Sequence, residues 1–203
     1  MFTSFPSELL RSLRLTLVVA AVTGVIYPLA ITGVAQGLFP GQANGSLVTR
    51  DGQVVGSALL GQEFSSPRYF HGRPSATLDP STGRPLPYAA DNSGGSNLGP
   101  SNPALIGRVA RDVQAIRQQD RLPADATVPV DLVTTDFSGL DPDISEASAL
   151  LQVNRVARAR HLDPAKVRSL VEHHLHGRLL GVFGEPHVNV LELNLALDRD
   201  EAG

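Results

Sequence analysis

The chain has 203 residues, a formal net charge of −3 and no cysteine. Disulfides and thiolate metal sites are therefore excluded, and the mild acidity leaves no electrostatic footprint for nucleic acid. Phosphate-loop, α/β-hydrolase and zincin motifs are absent, and one domain of ordinary size accounts for the length beyond its apolar stretch.

Residues 1–14 carry Glu8, Arg11 and Arg14. From Leu15 to Gln36 there is no charge, and no other stretch is comparably long. A bilayer core of ~30 Å needs about 20 mostly apolar residues in a helix. The run exceeds the ~7–15 residues of a signal-peptide core, and Tyr27, Pro28 and Gln36 do not resemble a cleavage site followed by a mature start, so it reads as a retained anchor. The expected organisation is a tail over 1–14, a membrane helix over 15–38 and one domain over 39–203. Positive charge before the span, with none after it until Arg50, predicts a cytoplasmic N-terminus and an outward-facing domain. Thr16, Ala20 and Gly24 recur at i, i+4 and i+8, and Gly33 and Gly37 form G-x-x-x-G, the pattern by which membrane helices pack closely on partners. Pro28 removes a backbone donor and predicts a kink.

Past the helix end at Leu38-Phe39-Pro40-Gly41, two β-prone runs flank Asp51-Gly52, a hairpin signal. Residues 61–103 read as a long loop of functional or disordered character. Asn102-Pro103 caps a helix to about Arg121 with Leu105, Ile106, Val109, Val113 and Ile116 on one face. Val128–Val133 reads as a strand. Asp143, with Glu146 three residues on, predicts a helix N-terminus of capping-box type, running to about His161. Asp163-Pro164 starts a further helix ending near Gly177. From Val188 to Asp198 apolar and polar residues alternate, which predicts a strand. The irregular mix of elements places the domain in the α+β class.

Four clusters invite chemistry. The Gly-rich run Ser93–Pro100 lacks a P-loop lysine and reads as a hydrogen-bonded turn. His173, His174 and His176 lack i, i+4 metal-pair spacing and suit a solvated helix end. Asp136, Asp141 and Asp143 lack the glycine and bidentate glutamate of an EF-hand loop, and turn and cap roles account for Asp141 and Asp143. Arg155, Arg158 and Arg160 read as a solvated helix face, with a phosphate ligand as the alternative.

Several strings resemble one family. They are Phe39–Ser46, Gly56–Gln62, Tyr69-Phe70-His71-Gly72-Arg73-Pro74-Ser75-Ala76-Thr77, Ser93–Leu98, Ser138–Asp141, Arg155–Arg160 and Val188–Asp198. In this order they resemble the C subunits of the Kdp potassium-transporting ATPase; Asp136-Phe137 departs from the family text. The resemblance implies an accessory, single-span subunit of the bacterial inner membrane. Its implied partners are a potassium-binding channel-like subunit and a P-type ATPase subunit, which handle potassium and ATP. It also implies a catalytic-chaperone role that raises ATP affinity, with Gln152 matching the glutamine proposed to touch nucleotide. The charge asymmetry puts Gln152 on the side away from cytoplasmic ATP, so the effect on ATP is read as indirect. No catalytic or metal-ligating residue and no directly bound cofactor is assigned. An anchored outer-surface enzyme, or a sensor, is the alternative.

Overall fold

The computed structural model describes residues 5–201, the side chains of Phe5 and Glu201 excepted; residues 1–4 of the expected tail lie outside the described residues. The chain divides into two units that part between Leu47 and Val48.

The first unit is mostly one long helix: α1 (Phe5–Ala21), a π-turn (Val22–Ile26) and α2 (Tyr27–Leu38). Pro6–Leu38 is 33 residues long, and its most apolar 18-residue window has mean hydropathy 2.1 and no burial within the protein, so the helix is long and apolar enough to cross a membrane. At 1.5 Å per residue it measures about 50 Å, longer than a bilayer core of ~30 Å. The local disturbance expected at Pro28 takes the form of the π-turn just before it. Proline supplies no N–H and its ring crowds the carbonyl of residue i−4, here Gly24, and a wider turn relieves both. The Thr23 hydroxyl donates to the Val19 carbonyl at 2.8 Å. A short α3 (Pro40–Ala43) follows, and the amides of Gln36 and Asn44 bond reciprocally at 3.1 and 3.2 Å.

The second unit opens on a hairpin of β1 (Leu47–Arg50) and β2 (Gln53–Ser57). Asp51 and Gly52 both have positive φ, 52° and 77°, as the expected two-residue turn requires. Next come α4 (Pro103–Asp120), a 3₁₀ turn (Val130–Leu132), β3 (Asp143–Ser145), α5 (Glu146–Arg160), α6 (Pro164–His173), β4 (Leu175–His176), β5 (His187–Asn189) and α7 (Val190–Glu201). Strands order β3-β5-β4, all antiparallel, with Ile144 opposite Val188. This is the α+β architecture expected. Its core joins Ile144 and Val188 of the sheet to Ala149, Val153 and Val156 of α5, Val167 and Val171 of α6, Leu193 and Leu197 of α7, and Phe70 of the long loop.

Five expectations are corrected. Val188–Asp198 is not a strand beyond Asn189. Val190, Leu193, Asn194 and Leu197 are all buried, an i, i+3, i+4, i+7 helical face in which a polar residue occupies a core position. The 3₁₀ turn replaces the strand at Val128–Val133, because Asp131 is drawn to Ser145 and Ser148, accepting from Ser145 N at 2.7 Å and Ser148 Oγ at 2.7 Å. Asp143 does not cap α5: residues 143–145 pair with β5, and the helix starts at Glu146 with Ser145 as its cap, accepting from Ser148 N. Helix α6 stops at His173, short of Gly177, and Leu175 and His176 pair instead with Val188 and His187. The apolar face of α4 is not a core face: Leu105, Val109, Val113 and Ile116 are half-buried, Ile106 is 57% exposed, and the buried residue of this helix is Asp120.

Residues 61–103 form no helix or named strand up to Asn102, yet they are tied down. Gly61 N donates to Leu140 O at 2.8 Å, and Thr77 Oγ1 donates to Leu86 O at 2.6 Å. Tyr88 donates its hydroxyl to Arg73 O at 2.7 Å, and burial, helped by Asp136 and Asp141, pushes its pKa up to about 12. A Cβ at Gly61 or Gly72 would collide with the Tyr88 side chain, so both positions need glycine.

Candidate functional site

Helix α5 presents two kinds of buried side chain. Ala149, Val153 and Val156 enter the core; Ser148, Gln152 and Arg155 form a polar stripe at i, i+4 and i+7. Against that stripe lies the loop segment Pro67–Pro74. Gln152 is 2% exposed. Its Oε1 accepts from His71 N at 2.8 Å and from Arg155 Nη2; its Nε2 donates to His71 O at 3.1 Å and Ser148 O at 3.2 Å. A primary amide has two donor hydrogens and two acceptor lone pairs, so all four are in use.

One loop residue earlier, Asn194 of α7 does the same for Phe70, accepting from its N–H at 2.8 Å and donating to its carbonyl at 2.9 Å. Two side-chain amides thus pair with consecutive peptide units as a neighbouring strand would. They hold Phe70, with no exposed surface, in the core.

Arg155 completes the arrangement. Its Nε donates to Asp120 Oδ1 at 3.0 Å and its Nη1 to the carbonyls of Pro67 and Tyr69 at 2.8 and 2.9 Å. Burial lowers the Arg155 pKa and raises that of Asp120, and each is opposed by the charge of the other. His71 Nε2 lies 3.0 Å from Ser66 O, a pure acceptor, so that nitrogen carries the proton and Nδ1 accepts from Gln119 at 3.3 Å. Burial first, then the Arg155 charge, depresses the His71 pKa against the Ser66 carbonyl. A cavity of about 170 Å³ opens beside these groups, lined by His71, Arg73, Gln119, Asp120, Leu132 and Gln152 among others.

The basic run is not the solvated face expected. Arg155 and Arg160 are 3% and 5% exposed, and of the three only Arg158 faces solvent. Arg160 donates to Arg68 O at 2.6 Å and Asp198 at 2.8 Å and sits over the Tyr69 ring. The Gly-rich run docks against the turn after Thr135, with Gly94 N donating to Ser138 O at 2.8 Å. Asp136 organises that turn, accepting from Ser138 N at 2.6 Å and from Gly139 N. Asp141 pairs with Arg73 at 2.9 Å and accepts from Asp143 N at 3.0 Å. His173 and His174 face carbonyls of their own helix, while His176 stacks on His187 with ring centroids 5.4 Å apart. Thr16 and Ala20 lie on α1, Gly24 in the π-turn, and Pro28, Gly33 and Gly37 on α2. No atom lies within 4 Å of where a Cβ at Gly24, Gly33 or Gly37 would stand. The wider π-turn adds a residue between the two groups, so Gly33 and Gly37 share a face without simply extending that of Thr16 and Ala20.

Asp120 and Asn194 carry much of this arrangement and were not singled out from sequence. Asn194 had one available signal, a polar residue between leucines at a core position.

A family model described as K+-transporting ATPase, c chain, matches residues 9–199. The potassium-transporting ATPase KdpC subunit of Bradyrhizobium diazoefficiens is 55% identical over 200 residues, 96% of this chain and 98% of that protein. The protein of the same name from Methylobacterium nodulans is 56% identical over 200 residues (94% and 98%), and that from Sorangium cellulosum is 59% identical over 192 residues (95% and 97%). The chain belongs to the c-chain family of potassium-transporting ATPases and is an accessory subunit of a potassium transport complex.

Proposed function

We propose that this subunit stabilises the assembled pump and has no turnover of its own. It spans the inner membrane once through residues 15–38, with the tail 1–14 in the cytoplasm and the domain 39–203 in the periplasm. Its partners are the potassium-binding channel-like subunit and the P-type ATPase subunit. The small residues Thr16, Ala20, Gly24, Gly33 and Gly37, with Pro28, present the faces on which partner helices pack. The catalytic-chaperone effect on ATP is conformational. A contact that favours one pump state by ~1–3 kcal/mol changes ligand affinity at a distant site about 5–150-fold.

The observation that carries this reading is the saturation of Gln152, whose amide is buried and fully bonded within the domain. A nucleotide contact would have to break one of those bonds. The placement of Arg11 and Arg14 before the span, with no Lys or Arg after it until Arg50, supports the outward domain. The test is photo-crosslinking of azido-ATP to the complex in sealed vesicles, with nucleotide on the cytoplasmic side. Label confined to the ATPase subunit is expected; label at Gln152 would overturn both the orientation and the indirect mechanism.

A further inference from the structure

Helices α4 and α5 each end on a residue in the left-handed region, Arg121 at φ 57° and His161 at φ 58°, and the last turn of α4 meets α5 through Asp120 and Arg155. Between these ends and the loop lies an open cleft of about 270 Å³ lined by Pro67, Gln119, Arg121, Arg155, Arg158 and Ala159. Among the described residues no carboxylate lines it. Asp120, beside it, is turned into Arg155 and balances that one guanidinium. Arg158 reaches the Asp120 carbonyl only at 3.4 Å, and among the described residues the Arg121 side chain has no hydrogen bond or ion pair. A helix C-terminus favours a nearby cation, which accounts for either surface arginine singly. It does not account for one concavity lined by two exposed arginines and a buried third.

A series of contacts links this cleft to the strand on which the second unit begins. Arg50, closing β1, donates to Asp198 at 2.8 Å, and Asp198 accepts from Arg160 at 2.8 Å. Arg160 Nε donates to Arg68 O at 2.6 Å, and Arg68 donates at 3.3 Å to the carbonyl of Ala159 in the cleft wall.

We propose that this cleft binds a phosphodiester anion, the headgroup phosphate of an acidic lipid in the bilayer that anchors the chain. Guanidinium groups match phosphate oxygens in bidentate geometry and are weakly hydrated, and arginines held close to an acidic bilayer each add to its attraction. The proposal rests on α1 and α2 being a membrane anchor. Such a contact sets which face the domain turns to the membrane.

Because the chain has no cysteine, one nitroxide at Gln118→Cys, an exposed position next to the cleft, is a unique label. The full chain goes into nanodiscs of phosphatidylcholine, with or without phosphatidylglycerol, in buffer containing inorganic phosphate. Phosphorus NMR then reads which line the label broadens. The phosphatidylglycerol line should broaden, and Arg121→Glu with Arg158→Glu should cut the effect by roughly 25-fold, at about fivefold per arginine. Broadening of the inorganic phosphate line alone would overturn the lipid source, and broadening indifferent to both reversals would overturn the cleft. No broadening, with the reversals releasing partner subunits from the complex, would replace the lipid by an acidic protein surface. Failure of the chain to enter the discs at all would instead sink the anchor reading beneath the proposal.

Discussion

Gln152 and His71 lie 81 positions apart in sequence and exchange a reciprocal pair of hydrogen bonds, with the side-chain amide of one pairing with the peptide group of the other. With the matching Asn194–Phe70 pair, this fastens an otherwise irregular loop to two helices and seats Phe70 in the core. It makes Gln152 a residue of the fold before any other role.

Gln152→Ala should therefore destabilise the domain. It leaves the His71 peptide N–H and carbonyl without their partner, at about 1–3 kcal/mol for each buried polar group left unsatisfied. A domain of this size moves roughly 2–4 °C per kcal/mol. Thermal unfolding of the full chain in detergent checks it. Asn194→Ala should lower the melting temperature and the pump's apparent ATP affinity in parallel. A loss of ATP affinity in the Gln152 variant alone, without loss of stability, would point to a nucleotide contact instead.

The Asp120–Arg155 pair is almost fully buried, with side chains 4% and 3% exposed. Removing one member leaves the other charged and without its partner, at about 3–5 kcal/mol. Arg155→Met should fall in that range and lose its carbonyl bonds as well. Asp120→Leu combined with Arg155→Met should recover part of the loss, and a double-mutant cycle in urea reads the coupling. Strict additivity would show that the two residues act separately.

Acid should weaken the domain in two steps. Burial, then Arg155, holds the His71 pKa below its usual value of about 6.5. Its contribution is complete above that value and is lost as pH falls through the lower folded pKa. Asp198 is raised by burial but lowered more by Arg160, Arg50 and Tyr69, so its net shift is downward. Its contribution is complete above about 4 and is lost as pH falls further. In urea unfolding across pH, His71→Gln should remove the first step and Asp198→Asn should reduce the second, to which Asp79 and Asp136, also held below the usual carboxylate range, contribute.

Gly33→Leu and Gly24→Leu should leave the chain's own fold intact, since no atom stands within 4 Å of either new Cβ. If partner helices pack on these faces, the leucines exclude them sterically, and co-purification of the larger subunits should drop severalfold. Full recovery of the complex with both substitutions would remove the packing role.

Local physics made the outer frame legible. Twenty-two uncharged residues between Leu15 and Gln36 lie within one long helix that begins earlier, at Phe5, and the Asp51-Gly52 turn and the caps at Asn102 and Asp163, each dependent on a few neighbouring residues, appear where the sequence predicts them. The polar interior was decided by contacts far apart in the chain. Arg155 and Arg160 lie on a helix rich in charge and read as solvent-facing until Asp120, Asp198 and the loop carbonyls are brought around them. Residues Val190–Leu197 alternate like a strand because the helical face includes Asn194, buried for its bonds to Phe70 rather than for its apolarity. Periodicity detects the burial of apolar surface. It is blind to a polar side chain buried because a peptide group more than a hundred residues away needs a partner, and in this domain such pairings attach the loop to the core.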